Sequence, residues 1–133
     1  MGRKVLIDTN ICIGYIGGKF QSHILDELDQ LIENEYHLSV INKIELLGFH
    51  DLTPHEGIKF RLIVNNSVLH SLDDEVIEKT IELRKQYRIK LPDAIIAATC
   101  LVKKLSIITM NVVDFEKIKG LNIISPETFS AFT

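Results

Sequence analysis

Four acidic residues stand out by where they fall in the chain: Asp8, Glu45, Asp93 and Asp114. Asp8 directly follows Val5, Leu6 and Ile7 and precedes the apolar Ile11, Cys12 and Ile13. An acid so enclosed is partly buried and needs a cation or a hydrogen-bonding cap to offset its lost hydration. The other three each have an ordinary structural use. Glu45 closes a capping box opened by Asn42, Asp93 complements the dipole of a helix begun at Pro92, and Asp114 caps residues 115–118. Brought together, however, the four carboxylates repel one another unless protons or a cation neutralise them. An all-oxygen donor set suits Mg²⁺ or Mn²⁺, whereas zinc prefers nitrogen or sulfur. His23, His37, His50, His55 and His70 show no metal-ligand spacing and read as surface or core residues.

Whether the acids meet depends on the elements that carry them. Residues 4–7 form a short β-branched run that reads as a buried strand, with Asn10 available to cap the segment after it. In residues 21–32, Ile24, Leu25, Leu28, Leu31 and Ile32 recur at helical spacing. Residues 36–41 read as a second strand, and a helix opened by Asn42 carries Glu45. Thr53, Pro54 and Glu56 mark the start of another helix, to about Val64. Residues 67–72 read as a third strand. Asp73 then caps a helix whose apolar face is Val76, Ile77, Thr80, Ile81 and Leu83. Pro92 starts the helix that carries Asp93 and runs to about Lys104. Strands over 105–109 and 122–125 come next, then a short helix begun by Pro126 and Glu127.

This alternation predicts one α/β domain over residues 1–133, a mostly parallel central sheet flanked by helices. In such sheets ligands bind beyond the carboxyl ends of the strands, where strand order reverses. Asp8, Glu45 and Asp114 each follow a strand and so fall on that edge. Asp93 reaches it through the loop at residues 88–90.

The 133 residues are 46% hydrophobic, enough for a continuous core. The longest strongly apolar run, residues 94–102, is interrupted by Thr99 and falls far short of the roughly 20 residues of a membrane span. No basic leader with a following apolar stretch opens the chain, so a cytoplasmic location is expected. Cys12 and Cys100 lie among apolar neighbours and read as buried, reduced thiols rather than a disulfide. The net charge of −3 argues against gripping nucleic acid through overall electrostatics. A cation among the acids reverses that field locally. Lys59 with Arg61, Arg84 with Lys85, Arg88 with Lys90, and Lys103 with Lys104 remain available for phosphates, although each pair is also an ordinary solvated surface.

Four stretches together resemble the PIN-domain ribonucleases, and among them the VapC-type toxins of toxin–antitoxin pairs. They are Ile7 to Asn10, Ile44 to Gly48 around Glu45, Leu91 to Thr99 with Asp93 near its start, and Thr109 to Phe115 with Asn111 and Asp114. Their order and spacing cover nearly the whole chain. The resemblance implies a compact α/β domain with Mg²⁺- or Mn²⁺-dependent endoribonuclease activity, a homodimer, and inhibition by a small antitoxin protein. Asn111 departs from the fuller pattern: many members carry aspartate there, while toxin-like members often have asparagine. Its side-chain carbonyl can accept but adds no charge. Thr9 and Asn10 read as supporting residues that hydrogen-bond the acids or their loop.

The chemistry expected is hydrolysis of phosphodiester bonds in single-stranded RNA, with Asp8, Glu45, Asp93 and Asp114 positioning one or two ions that activate a water. Lys43, beside Glu45, reads as a solvated helix residue. Two other readings fit the same residues. One is a non-catalytic protein- or RNA-binding module of this fold, left open by Asn111. The other is a small metal-dependent phosphatase with Asp8 as nucleophile, which lacks a second aspartate where Asn10 stands. Residues 21–32 and 55–64 carry apolar positions that serve either as core or as a partner surface.

Overall fold

A computed structural model of the protein describes residues 4–130. Five strands, β1 (Val5–Ile7), β2 (His37–Ser39), β3 (Val68–His70), β4 (Ser106–Ile108) and β5 (Ile123–Ile124), form one sheet in the order β3-β2-β1-β4-β5. Every pairing is parallel. Seven helices connect and flank the strands: α1 (Thr9–Ile16), α2 (Ser22–Glu33), α3 (Val40–Leu47), α4 (Pro54–Asn65), α5 (Asp74–Gln86), α6 (Leu91–Lys103) and α7 (Val112–Phe115). Strand order reverses between β1 and β4, whose register pairs Val5 with Ser106, Leu6 with Ile107 and Ile7 with Ile108.

The period-2 alternation of β1 divides the core. Val5 and Ile7 pack on one face with Ile11, Leu28, Leu38, Leu46 and Phe60. Leu6 packs on the other with Val76, Ile96, Ala97, Ile107 and Phe115. Each fully buried aliphatic side chain contributes about 1.5–3 kcal/mol relative to exposure. The apolar run ahead of Lys103 is explained here, since Ala94 through Cys100 are all buried in α6. Cys12 and Cys100 are buried free thiols, and burial pushes both above the usual thiol range. Among the described residues no helix is long and apolar enough to cross a membrane.

Several starts and stops differ from the sequence expectations. The second strand ends at Ser39 rather than near Ile41, because Ser39 is the N-cap of α3 and Asn42 is the third residue of the capping box. Glu45 therefore does not close a box with Asn42 and is left free for another partner. Helix α1, which has no clear sequence signal, begins directly after β1 with Asp8, not Asn10, as its N-cap. Thr53 with Glu56, and Asp73, cap α4 and α5 as their spacing predicts. The last short helix is a 3-10 turn, Pro126–Thr128.

Candidate active site

Because β1, β2 and β4 run parallel, the loops after them open on one edge, and the order reversal between β1 and β4 parts the loops that follow those two strands. Asp8 follows β1 in extended conformation, with φ −69° and ψ 154°, and its carboxylate accepts from the Thr9 backbone N–H at 2.9 Å. Thr109, immediately after β4 and fully buried, donates its hydroxyl to Asp8 Oδ2 at 2.7 Å. Asn10 Nδ2 donates to the same oxygen at 3.4 Å, while Asn10 Oδ1 accepts from the Met110 N–H at 3.2 Å. Asn10 thus ties the two loops at the switch point together.

Glu45 is held from the neighbouring loop. Asn42, wholly buried, uses Oδ1 to accept from the Ser39 N–H at 2.8 Å and Nδ2 to donate to Thr9 Oγ1 at 3.0 Å. With its lone pair so engaged, the Thr9 hydroxyl donates its proton to Glu45 Oε1 at 2.6 Å. A relay therefore runs from the end of β2 through the residue after Asp8 to the second acid. Asp93 sits half-buried in the first turn of α6, and Asp114 is exposed on α7. Neither carboxylate accepts a hydrogen bond among the described residues. Asn111 supports this corner through its backbone, whose N–H donates to Thr109 Oγ1 at 3.0 Å; its side chain caps nothing.

The acids feel one another. Burial raises the carboxyl pKa of Asp8 above the ordinary range, and the charges of Asp93 and Glu45 add to that, while the Thr109 and Thr9 bonds oppose it. Asp93 is likewise raised, first by burial and then by Asp114 and Glu45, with Lys90 opposing. The four acids named from the sequence are thus linked, Asp8 to Asp93 and Glu45, Asp93 to Glu45 and Asp114. Among the described residues, no three or more His, Cys, Asp or Glu side chains are drawn together as a ready coordination shell. The donor set nevertheless fits a hard cation, since all donors are carboxylate oxygens under mutual repulsion. Exposed Glu45 and Asp114 are the two with room to turn towards an ion.

Sequence reasoning did not single out Thr109 as a partner of Asp8, and it gave Asn42 the wrong role. The signal for Thr109 was a hydroxyl directly after the apolar pair Ile107 and Ile108, where the strand ends. The histidines also hold a feature that sequence spacing concealed. His37 Nδ1 lies 2.9 Å from His70 Nε2 across β2 and β3, and His37 Nε2 lies 2.8 Å from Glu35 Oε2. Neither histidine bonds any of the four acids.

A PIN domain profile matches residues 5–121, a span that includes all four acids. This chain belongs to the PIN-domain family. Among solved structures, this PIN domain is similar to a chain of a toxin–antitoxin complex from Klebsiella pneumoniae, with 26% identity and a TM-score of 0.74, covering 96% of this chain and 99% of that one. It also shares its fold with VapBC2 from Rickettsia felis bound to a DNA fragment from their promoter, at 21% identity and a TM-score of 0.76, covering 91% and 97%. DNA-bound VapBC from Salmonella typhimurium gives 23% identity and a TM-score of 0.74, covering 93% and 98%. The last two likenesses are of fold, and all three neighbours come from toxin–antitoxin structures. No curated protein sequence gives a significant match.

Proposed function

We propose that this PIN domain is a Mg²⁺- or Mn²⁺-dependent endoribonuclease that cleaves single-stranded RNA, and that it is the toxin of a toxin–antitoxin pair. The observation that carries the reading is the coupling of Asp8, Glu45, Asp93 and Asp114 beyond the carboxyl ends of the strands, where burial and like charge hold Asp8 and Asp93 above the usual carboxyl range. A bound divalent ion would polarise the scissile phosphate and lower the pKa of a water for in-line attack. Asp8 fixes the inner position, because three donors hold its carboxylate. Thr9 orients Glu45, and half-buried Asp93 and exposed Asp114 complete the donor set. Thr9, Asn10 and Asn111 act as supports for loop and acid geometry rather than as charged ligands.

The same geometry speaks against Asp8 as a phosphatase nucleophile. Its Oδ2 accepts from both Thr109 and Asn10, and the residue is only 6% exposed, which leaves no room for an in-line phosphoryl group at phosphorus–oxygen bonding distance. Covalent attack needs a carboxylate oxygen open to the phosphorus. The toxin–antitoxin neighbours support a small antitoxin as partner. A homodimer is part of the same proposal, and light scattering of the isolated chain tests it.

The deciding experiment is cleavage of an end-labelled, mixed-sequence single-stranded RNA by the wild type and by Asp93→Asn, in Mn²⁺, Mg²⁺ or chelator. Metal-dependent cleavage by the wild type alone is expected. Folded wild type that leaves every RNA intact in both metals would transfer support to a non-catalytic binding module.

A further inference from the structure

The acids share a cavity with three cations that the proposed hydrolysis does not use. A hollow of about 150 Å³ is lined by Arg88, Ile89, Lys90, Asp93, Asp114 and Lys117. That is well below the roughly 300 Å³ at which drug-sized pockets begin, and leaves room for one phosphate group. Although they line the same hollow as two carboxylates, Arg88, Lys90 and Lys117 form no ion pair with Asp93 or Asp114; the ion pairs among the described residues lie elsewhere. Lys90 offsets part of the Asp93 charge without a direct contact, and Arg88 and Lys117 keep their charged groups unpaired with either acid, open to an anion beside them.

The loop carrying these groups is fastened on both sides. Arg84 of α5 donates from Nη1 to the Ile89 carbonyl at 3.0 Å, and Lys117 Nζ donates to the Arg88 carbonyl. The Lys119 N–H donates to the Tyr87 hydroxyl at 3.2 Å. An exposed connection between two helices is ordinarily mobile, whereas this one is tied to both α5 and the segment after α7. Lys117 keeps two further ammonium protons, and the Arg88 guanidinium has no partner among the described residues. Fixing the backbone that carries Arg88 and Lys90, and the Lys117 ammonium beside it, lowers the ordering cost of the complex.

We infer that Arg88, Lys90 and Lys117 form a phosphate subsite that holds the RNA backbone at the phosphate next to the scissile one, seating the strand across Asp93 and Asp114. The subsite deepens the nuclease reading and rests on it for the identity of the anion. It also bears on the net charge of −3, because three cations are gathered beside the acids instead of being spread over the surface.

The test is fluorescence anisotropy with a labelled single-stranded RNA oligonucleotide. A Glu45→Gln background silences cleavage and leaves the cavity lining intact. Adding Arg88→Gln and Lys117→Gln is expected to weaken binding about tenfold and to reduce the slope of log affinity against log salt by roughly 1.4, about 0.7 for each lost contact. Arg61→Gln with Lys85→Gln, which removes two charges elsewhere, leaves both unchanged. In the cleavage-competent chain the cavity variant raises KM about tenfold with kcat within about threefold, and Arg88→Lys with Lys117→Arg restores KM. Unchanged affinity and salt slope in a folded cavity variant would overturn the subsite while leaving the nuclease reading standing. RNA binding lost with the cavity charges, in a chain that never cleaves, would sink the nuclease reading and overturn the placing of the held phosphate beside a scissile one, leaving a phosphate contact of a binding module. A Glu45→Gln chain that binds no RNA at all would overturn the subsite directly.

Discussion

Asp8 and Asp114 are two carboxylates of the proposed site in opposite circumstances. Asp8 is buried at the switch point of the sheet, receives three hydrogen bonds, and caps α1. Asp114 stands exposed on a four-residue helix and receives none among the described residues. The inner acid is placed by the fold, and an ion would have to come to it. The outer acid is free to move, and an ion would place it. On the proposed reading, the site therefore divides into a half whose geometry the protein supplies and a half whose geometry a bound ion would complete.

The largest effect expected from that division is on cleavage. Asp8→Asn and Asp93→Asn each lower the rate by at least about 10²–10³-fold, the scale lost when one preorganised electrostatic element is removed from an active site. Single-turnover assays in saturating Mn²⁺ check this. Undiminished cleavage by both variants would dissolve the comparison along with the site. Next, Thr109→Val removes the hydroxyl bonded to buried Asp8 and costs about 1–3 kcal/mol of stability, whereas Asp114→Asn leaves thermal unfolding nearly unchanged. Equal losses in the two melts would show that the outer acid is as structural as the inner. Thr9→Val cuts the relay to Glu45 and reduces activity or Mn²⁺ affinity by roughly 10–100-fold, with a smaller stability loss from stranding Asn42; Mn²⁺ titration followed by Tm separates the two.

Smaller effects sharpen the same picture. Without metal, Asp93→Asn is expected to raise Tm slightly, since burial and like charge make the ionised acid unfavourable. Mn²⁺ raises Tm in the wild type by mass action and less, or not at all, in this variant. The smallest expected effect lies at the far edge of the sheet. Burial, and then His37 and Lys103, hold His70 below its usual imidazole range, with Asp73 opposing. Its folded pKa is depressed, so the unfolded chain binds more protons in that window. The stability this neutral histidine contributes is present above about pH 6.5 and is lost as pH falls below it. His70→Gln should flatten that part of the pH–Tm curve; an unchanged slope would remove His70 as its source.

The sheet and most helices were legible because their signals are local. The β-branched run before Asp8, the Thr53 to Glu56 box and the Pro92 start each sit within a few residues. Helix α1 escaped because Thr9–Ile16 carries β-branched residues and Gly14 with no polar face to mark a helical stripe. The capping box was misplaced because Ser39 to Asn42 and Asn42 to Glu45 offer the same spacing, and the strand's end at Ser39, whose N–H donates to Asn42 Oδ1, decides between them. The acids were visible one by one, but the groups that seat them were not. Thr109 acts on a residue 101 positions away, and the His37–His70 contact depends on strand register.

That 101-residue separation has a consequence for synthesis. Loop closure over such a distance is costly and comes late relative to local helices. On the ribosome, Asp8, Thr9 and Glu45 emerge well before Thr109 and Asp114. A half-made chain therefore carries the first acid without the hydroxyl that seats it, and without the last acid. The central position of β1 between β2 and β4 ties completion of the centre to the arrival of β4, so a chain that still lacks β4 cannot assemble it.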